Sequence, residues 1–242
     1  MLILKNGWIR PVTAPPYQGD VLIRAGKICA LGGDLANPDA QCIDVSGYTV
    51  IPGLVDAHCH IGLAESGVGE PGQDVNEHTD PLLPELRAVD ALNPDDDAFR
   101  EAREAGITTC VTGPGSSGLI TGTFCAVKTW GATVEEMLLR ESLAMKMALG
   151  ENPKQAFGVA RKTAPETRMS EMSQLRNILQ EARIYADKRA KCPDMAAWNM
   201  KLEALSPVVR GEMPVKFHVH RKDDIASALR IAREFSLRIS LD

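Results

Sequence analysis

The chain has 242 residues, enough for one large domain or for a medium domain with a smaller companion. Apolar residues make up 44% and charged residues 24%, an ordinary globular composition that excludes intrinsic disorder. The net charge of −5 comes from mixed acids and bases without a basic run, so neither nucleic acid nor an anionic membrane is expected as a partner.

Residues 1–52 read as β structure without helix. Short strands are expected at 2–4, at 20–31 with a break at Gly26, and at 41–51 with a break at Gly47. Only three apolar residues precede Lys5, too few for a signal-peptide core, and no run of 18 apolar residues occurs. A cytoplasmic location is the resulting expectation. From residue 53 to 242 strand-like runs alternate with helical stretches, the texture of βα units around a parallel sheet, which predicts a second domain. Its strands are expected at 54–58, 107–112, 123–128, 144–149, 215–220 and 237–241. Residues 64–92, rich in Gly, Pro and acids, form a long loop after the first of these, and loops of that length usually serve a site.

Asn93-Pro94 reads as the cap and first turn of a helix over 95–105 that stops at Gly106. Met172, Leu175, Ile178, Leu179, Ala182 and Tyr185 recur at helical spacing and should lay one apolar face on the sheet. A last helix is expected over 223–235, with Asp223 and Asp224 complementing the positive end of its dipole. The six cysteines, Cys29, Cys42, Cys59, Cys110, Cys125 and Cys192, form no C-x-x-C pair, so buried reduced thiols are expected and neither a disulfide framework nor a cysteine zinc site.

Only five histidines occur, and four fall into two H-x-H pairs, His58 with His60 and His218 with His220. Composition alone predicts roughly a tenth of one such pair. Side chains two apart on a strand share a face, so each pair can aim two imidazoles at one divalent cation. A lone strand-end histidine is more often a satisfied core or surface residue. Two pairs, each at the C-terminal end of an apolar strand where α/β barrels place their sites, favour a metal site instead. Gly113-Pro-Gly-Ser-Ser-Gly118 looks like a phosphate-cradling loop but lacks the following G-K-[ST], so it reads as a barrel loop with Ser116 and Ser117 as substrate contacts. Asp74, Glu77 and His78 read as solvated loop residues within reach of a pocket.

The run Gly47-Tyr-Thr-Val-Ile-Pro-Gly-Leu-Val-Asp-Ala-His-Cys-His60 resembles the signature of the amidohydrolase superfamily, and the similarity continues through residues 105–109, 146–153 and 215–220. Within the superfamily the imidazolonepropionase-like branch is the nearest in look. The resemblance implies an α/β fold, a (β/α)8 TIM-type barrel preceded by a small β-sandwich, with residues 1–52 as part of the sandwich and 53–242 as the first five or six βα units. It implies hydrolysis of an amide or cyclic amide C–N bond in a small-molecule or peptide-like substrate, using one or two ions of zinc or another divalent transition metal. His58, His60 and His218 match metal ligands, and His220 would orient His218 or touch substrate. Lys146 matches the position of a carboxylated, metal-bridging lysine; the plainer reading is that it snorkels or pairs with Glu151.

A further histidine and the general-base aspartate would be expected beyond residue 242, so the catalytic base is unassigned. Residues after position 52 also fall short of the roughly 250 that a barrel takes. A truncated or split form is therefore expected, whose open edges predict a homo-oligomer or a complementing C-terminal chain. The alternative is a non-catalytic remnant or interaction module that keeps part of the metal site.

Overall fold

A computed structural model describes residues 1–192 and 197–242 and divides into two compact units, Met1–Leu54 and Val55–Asp242. In the first unit β1 (Leu2–Ile9), β2 (Tyr17–Arg24), β3 (Lys27–Gly32), β4 (Gln41–Asp44) and β5 (Thr49–Val50) form one five-stranded sheet. β1, β2 and β3 make an antiparallel meander, and β4 and β5 pair in parallel with successive stretches of β1. β4 and β5 share the remaining edge of β1, so these five strands form a single sheet. Asp20, almost wholly buried on β2, is satisfied by the Lys5 ammonium at 2.7 Å and by the backbone N–H groups of Asn6 and Leu35, both at 2.9 Å.

The second unit contains β6 (Leu54–Cys59), α1 (Asp97–Glu104), β7 (Ile107–Thr112), β8 (Ile120–Lys128), α2 (Val134–Met137), β9 (Leu138–Ala148) and α3 (Glu151–Pro153). After a π-helical turn at Lys154–Val159 come α4 (Arg168–Lys191), α5 (Met200–Val209), β10 (Val215–His218), α6 (Lys222–Phe235) and β11 (Ile239–Leu241). The six strands form one sheet in the order β11-β10-β9-β8-β7-β6. All six expected strands are present, but β8 and β9 begin earlier than expected, β11 begins later, and β10 stops at His218, leaving His220 beyond it.

The all-parallel expectation is corrected as well. β9, β10 and β11 run parallel, whereas β8 is antiparallel to both β7 and β9. The cause is the length of the connections: residues 113–119 link β7 to β8, and a parallel crossover takes about a dozen or more.

Side-chain alternation divides the sheet into two faces. Met145, Met147, Val215 and Phe217 enter an apolar cluster with Leu175, Ile178, Leu179 and Ala182 of α4, Leu205 of α5, and Ala228, Ile231 and Phe235 of α6. Lys146, Lys216 and His218 alternate with them and so occupy the opposite face, where Lys216 pairs in register with Lys146. The apolar face of α4 is the one its spacing predicts. Thr167 caps this helix, its hydroxyl accepting the Ser170 N–H at 3.1 Å.

Two expectations about helix starts change. α1 is capped by Asp96, which accepts the Ala98 N–H, while Asn93 accepts the Asp95 N–H and turns the chain just before. Asp224, expected simply to face the dipole of α6, is buried and binds the Arg168 guanidinium in a bidentate pair at 2.6 and 2.9 Å. Glu171 lies beside this pair and accepts the Gly150 N–H at 3.0 and 3.1 Å; burial, the largest influence, pushes its carboxyl up to about 7. Gly150 has φ +93°, and a Cβ there would fall 2.3 Å from Asp224 Oδ2.

All six cysteines are free, but only Cys110 and Cys125 are buried and Cys59 is half-buried. Cys29 and Cys42 are exposed because β3 and β4 are the outer strands of the first sheet, and Cys192 is exposed just past α4. Among the described residues no helix is long and apolar enough to cross a membrane.

Candidate functional site

The site gathers on the face of the second sheet opposite the helix-packed core, at the ends of β6, β9, β10 and β11. Its centre is the carboxylate of Asp242, directly after β11. Asp242 Oδ2 lies 2.6 Å from Lys146 Nζ, 3.4 Å from His58 Nε2 and 3.8 Å from His218 Nδ1. Parallel pairing makes this possible: the Asp242 N–H donates to the Phe217 carbonyl, placing its side chain beside His218. His58, Lys146 and His218 thus converge as the sequence suggests, but the group that joins them is one that reading left out.

Phe124 of β8 is fully buried beneath the cluster. Its ring centroid lies 4.9 Å from that of His58 and 6.4 Å from that of His60, and the Lys146 and Lys216 ammonium groups stand 5.9 and 5.5 Å from it. The His58 and His60 rings are 5.6 Å apart and nearly perpendicular. His60 Nδ1–H donates to the Gly113 carbonyl at 2.6 Å, which leaves Nε2 as the nitrogen with a free lone pair. His220 Nε2 is 2.9 Å from His218 Nε2, so the second pair meet each other as well as the cluster.

Electrostatics follow from this crowding. Burial, helped by the Lys146 charge, pulls His58 down to about 4, so it is a neutral imidazole at pH 7. The Lys216 ammonium, 3.3 Å from His58 Nδ1, donates to that nitrogen. Burial also lowers Lys146, which is 1% exposed, while Asp242 draws it the other way. For Asp242 burial acts upward, but hydrogen bonds from His218 and Lys146 outweigh it and hold the carboxyl well below its usual range.

Lys146 pairs with Asp242 and not with Glu151, which corrects the plainer reading of that lysine. Ser116 Oγ accepts Asn152 Nδ2–H at 2.8 Å, and the same amide nitrogen reaches His218 Nε2 at 3.2 Å, so Ser116 borders the cluster. Ser117 serves the loop itself: its N–H donates to Asn76 Oδ1 and its hydroxyl to the Glu77 carbonyl. Glu77 accepts the N–H groups of His78 and Thr79, and among the described residues no hydrogen bond or ion pair joins the Asp74, Glu77 or His78 side chain to the cluster.

Sequence reasoning missed Asp242, Lys216 and Asn152. Lys216 carried a usable signal, since it stands two residues before His218 on a strand and must share its face.

Among the described residues no three His, Cys, Asp or Glu side chains are arranged to hold a metal ion. The donor chemistry nevertheless suits one. The imidazoles of His58 and His218 and the ionised Asp242 carboxylate beside them are donor types that zinc would take.

No family model matches the chain. The amidohydrolase tasK of Hapsidospora irregularis is 27% identical over 250 residues, covering 92% of this chain and 25% of that protein. A dihydroorotase of Streptococcus thermophilus is 39% identical over 85 residues, 34% of this chain and 18% of its own length. The crystal structure of an amidohydrolase from Thermotoga maritima superposes with a TM-score of 0.93 at 37% identity, covering all of this chain and 64% of that one. The chain therefore spans a quarter or less of these curated relatives and just under two thirds of the structural one. With sequence and fold both matching, the chain belongs to the amidohydrolase superfamily.

Proposed function

We propose that the protein is a metal-dependent hydrolase of amide or cyclic amide C–N bonds in small molecules. In this reading β6 to β11 belong to a TIM-type barrel in which β8 is reversed, and residues 1–52 belong to an accompanying β domain. The relatives named amidohydrolase, dihydroorotase and D-hydantoinase support the reaction class. The observation that carries it is the meeting of His58, Lys146 and His218 around one carboxylate oxygen.

His58, His60 and His218 would hold zinc or a similar divalent ion. Such an ion, when bound, acidifies water toward neutrality and polarises a carbonyl. The protein's own groups supply the rest. Burial keeps His58 unprotonated, the Asp242 carboxylate stands beside the His58 and His218 rings, and His220 and Asn152 hold the far side of His218. Lys146, its basicity depressed by burial, is either the ammonium partner of Asp242 or the bearer of a carboxylate taken from carbon dioxide.

Metal analysis of the purified intact protein should find about one or two tightly held ions, with affinity reduced at least about tenfold in His58→Ala and His218→Ala. Dipeptides and cyclic ureides with added zinc should be turned over by the parent protein and not by His58→Ala. A folded protein with neither metal nor turnover would sink the proposal. It would leave the non-catalytic reading, favoured so far by the lack of a three-residue metal arrangement among the described residues.

A further inference from the structure

Across the second sheet from the His58 cluster lies a cavity of about 470 Å³. Thr123 of β8 lines it and pairs in register with Met145, whose side chain enters the helix-packed core on the face opposite Lys146. The Thr123 N–H donates to the Leu86 carbonyl at 2.8 Å, which sets Glu85 and its neighbours alongside β8. On α5, Met200, Glu203, Ala204 and Pro207 lie at i, i+3, i+4 and i+7, so one face of that helix borders the cavity. Trp198 and Met213 extend its apolar wall.

Two oxygens of this lining lack the partners that burial demands. Thr123 is 4% exposed, and among the described residues neither its Oγ1 nor Glu85 Oε2, both shut off from water, has a hydrogen-bond partner. Lys201 stands 4.0 Å from the other Glu85 oxygen but gives its ammonium to Asp80 Oδ2 at 2.6 Å and to the Leu82 carbonyl at 2.7 Å. Arg87, also in the lining, is held by Asp90 and Glu141. Glu203 adds a second carboxylate, served by the Tyr185 hydroxyl and by Arg189 at 3.8 Å. A carboxylate entering this cavity would meet like charge, and a wholly apolar guest would leave both oxygens unpaired. An ammonium, with three N–H donors and a positive charge, answers both needs.

We infer that this cavity is a second ligand site, separate from the strand-end cluster, and that it takes a primary ammonium carried on an aromatic body. Glu85 and Thr123 receive the ammonium, while Trp198, Met213 and the bordering face of α5 enclose the ring. Trp198 and Met200, 66% and 59% exposed, are the surface side chains that move to admit it. The site needs neither a metal nor hydrolysis.

Calorimetric titration of the intact protein with tryptamine, tryptophol and indole-3-acetate, which share a ring and differ in the charge of the side chain, tests the assignment. Tryptamine should bind at least about tenfold more tightly than tryptophol, and indole-3-acetate most weakly, in line with a site whose buried polar groups need a donor. Glu85→Gln should bring tryptamine down to the tryptophol level, and Thr123→Val should weaken it several-fold. Ala204→Trp, on the partly exposed face of α5, should fill the cavity and abolish binding, which carries the test should Glu85→Gln fail to fold. His58→Ala, across the sheet, should leave tryptamine affinity unchanged. Failure of tryptamine to bind would overturn the inference, as would equal affinity for the alcohol or the acid, binding that survives Ala204→Trp or a folded Glu85→Gln, or binding lost in His58→Ala.

Discussion

In the second sheet β9, β10 and β11 run parallel, whereas β8 runs against both of its neighbours. The parallel strands finish at one edge, so Lys146, Lys216, His218 and Asp242 come from three adjacent strands and meet. β8 reaches the same region in mid-strand and contributes Phe124, an apolar ring with nothing to titrate. The difference shows why chemistry collects where parallel strands finish together: in-register strands set polar groups side by side, so that even the buried Lys146 finds a partner in Asp242. The reversed strand supplies a dry floor, and that floor depresses His58 and Lys146 through burial.

The largest effect should test the floor. Phe124→Ala removes a fully buried ring and should lower unfolding free energy by about 4 kcal/mol in urea titration; a loss under about 1 kcal/mol would show that β8 is not a packed platform.

The parallel half leans instead on its helical cover, where Glu171 gives a pH signature. Its carboxyl is raised from 4.5 to about 7 in the native state, so between those values the folded protein holds a proton that the unfolded chain has released. Its contribution is therefore fully present below about pH 4.5 and is lost as pH rises through 7. Glu171→Gln should remove that decline, a difference on the order of 3 kcal/mol across the window, read as melting temperature against pH. Parallel profiles for the two proteins would refute it. The smallest effect, about 1 kcal/mol, is expected for Thr167→Ala, which strips the α4 cap. Thermal unfolding of Thr167→Ser, which keeps a hydroxyl, should stay close to the parent.

Features with a local period were legible in the sequence. The H-x-H spacing brought out His58, His60 and His218, and the apolar spacing of 172–185 identified the buried face of α4. What was not legible depends on register or on distant partners. Asp242 matters because parallel pairing sets it beside His218, and Asp224 matters because Arg168 reaches it from another helix. Neither fact leaves a trace in neighbouring residues. The direction of β8 lies between these cases, since a link too short to cross over was visible between two clear strands.

Gly150 has a consequence for tracing this architecture through divergent sequences. Its backbone turn and the adjoining Asp224 carboxylate leave no volume for even a methyl group. Position 150 thus acts as a fingerprint: a relative bearing any larger residue there must have surrendered the Arg168 linkage or displaced the start of α6, and its neighbouring Asn152 could no longer be assumed to reach His218.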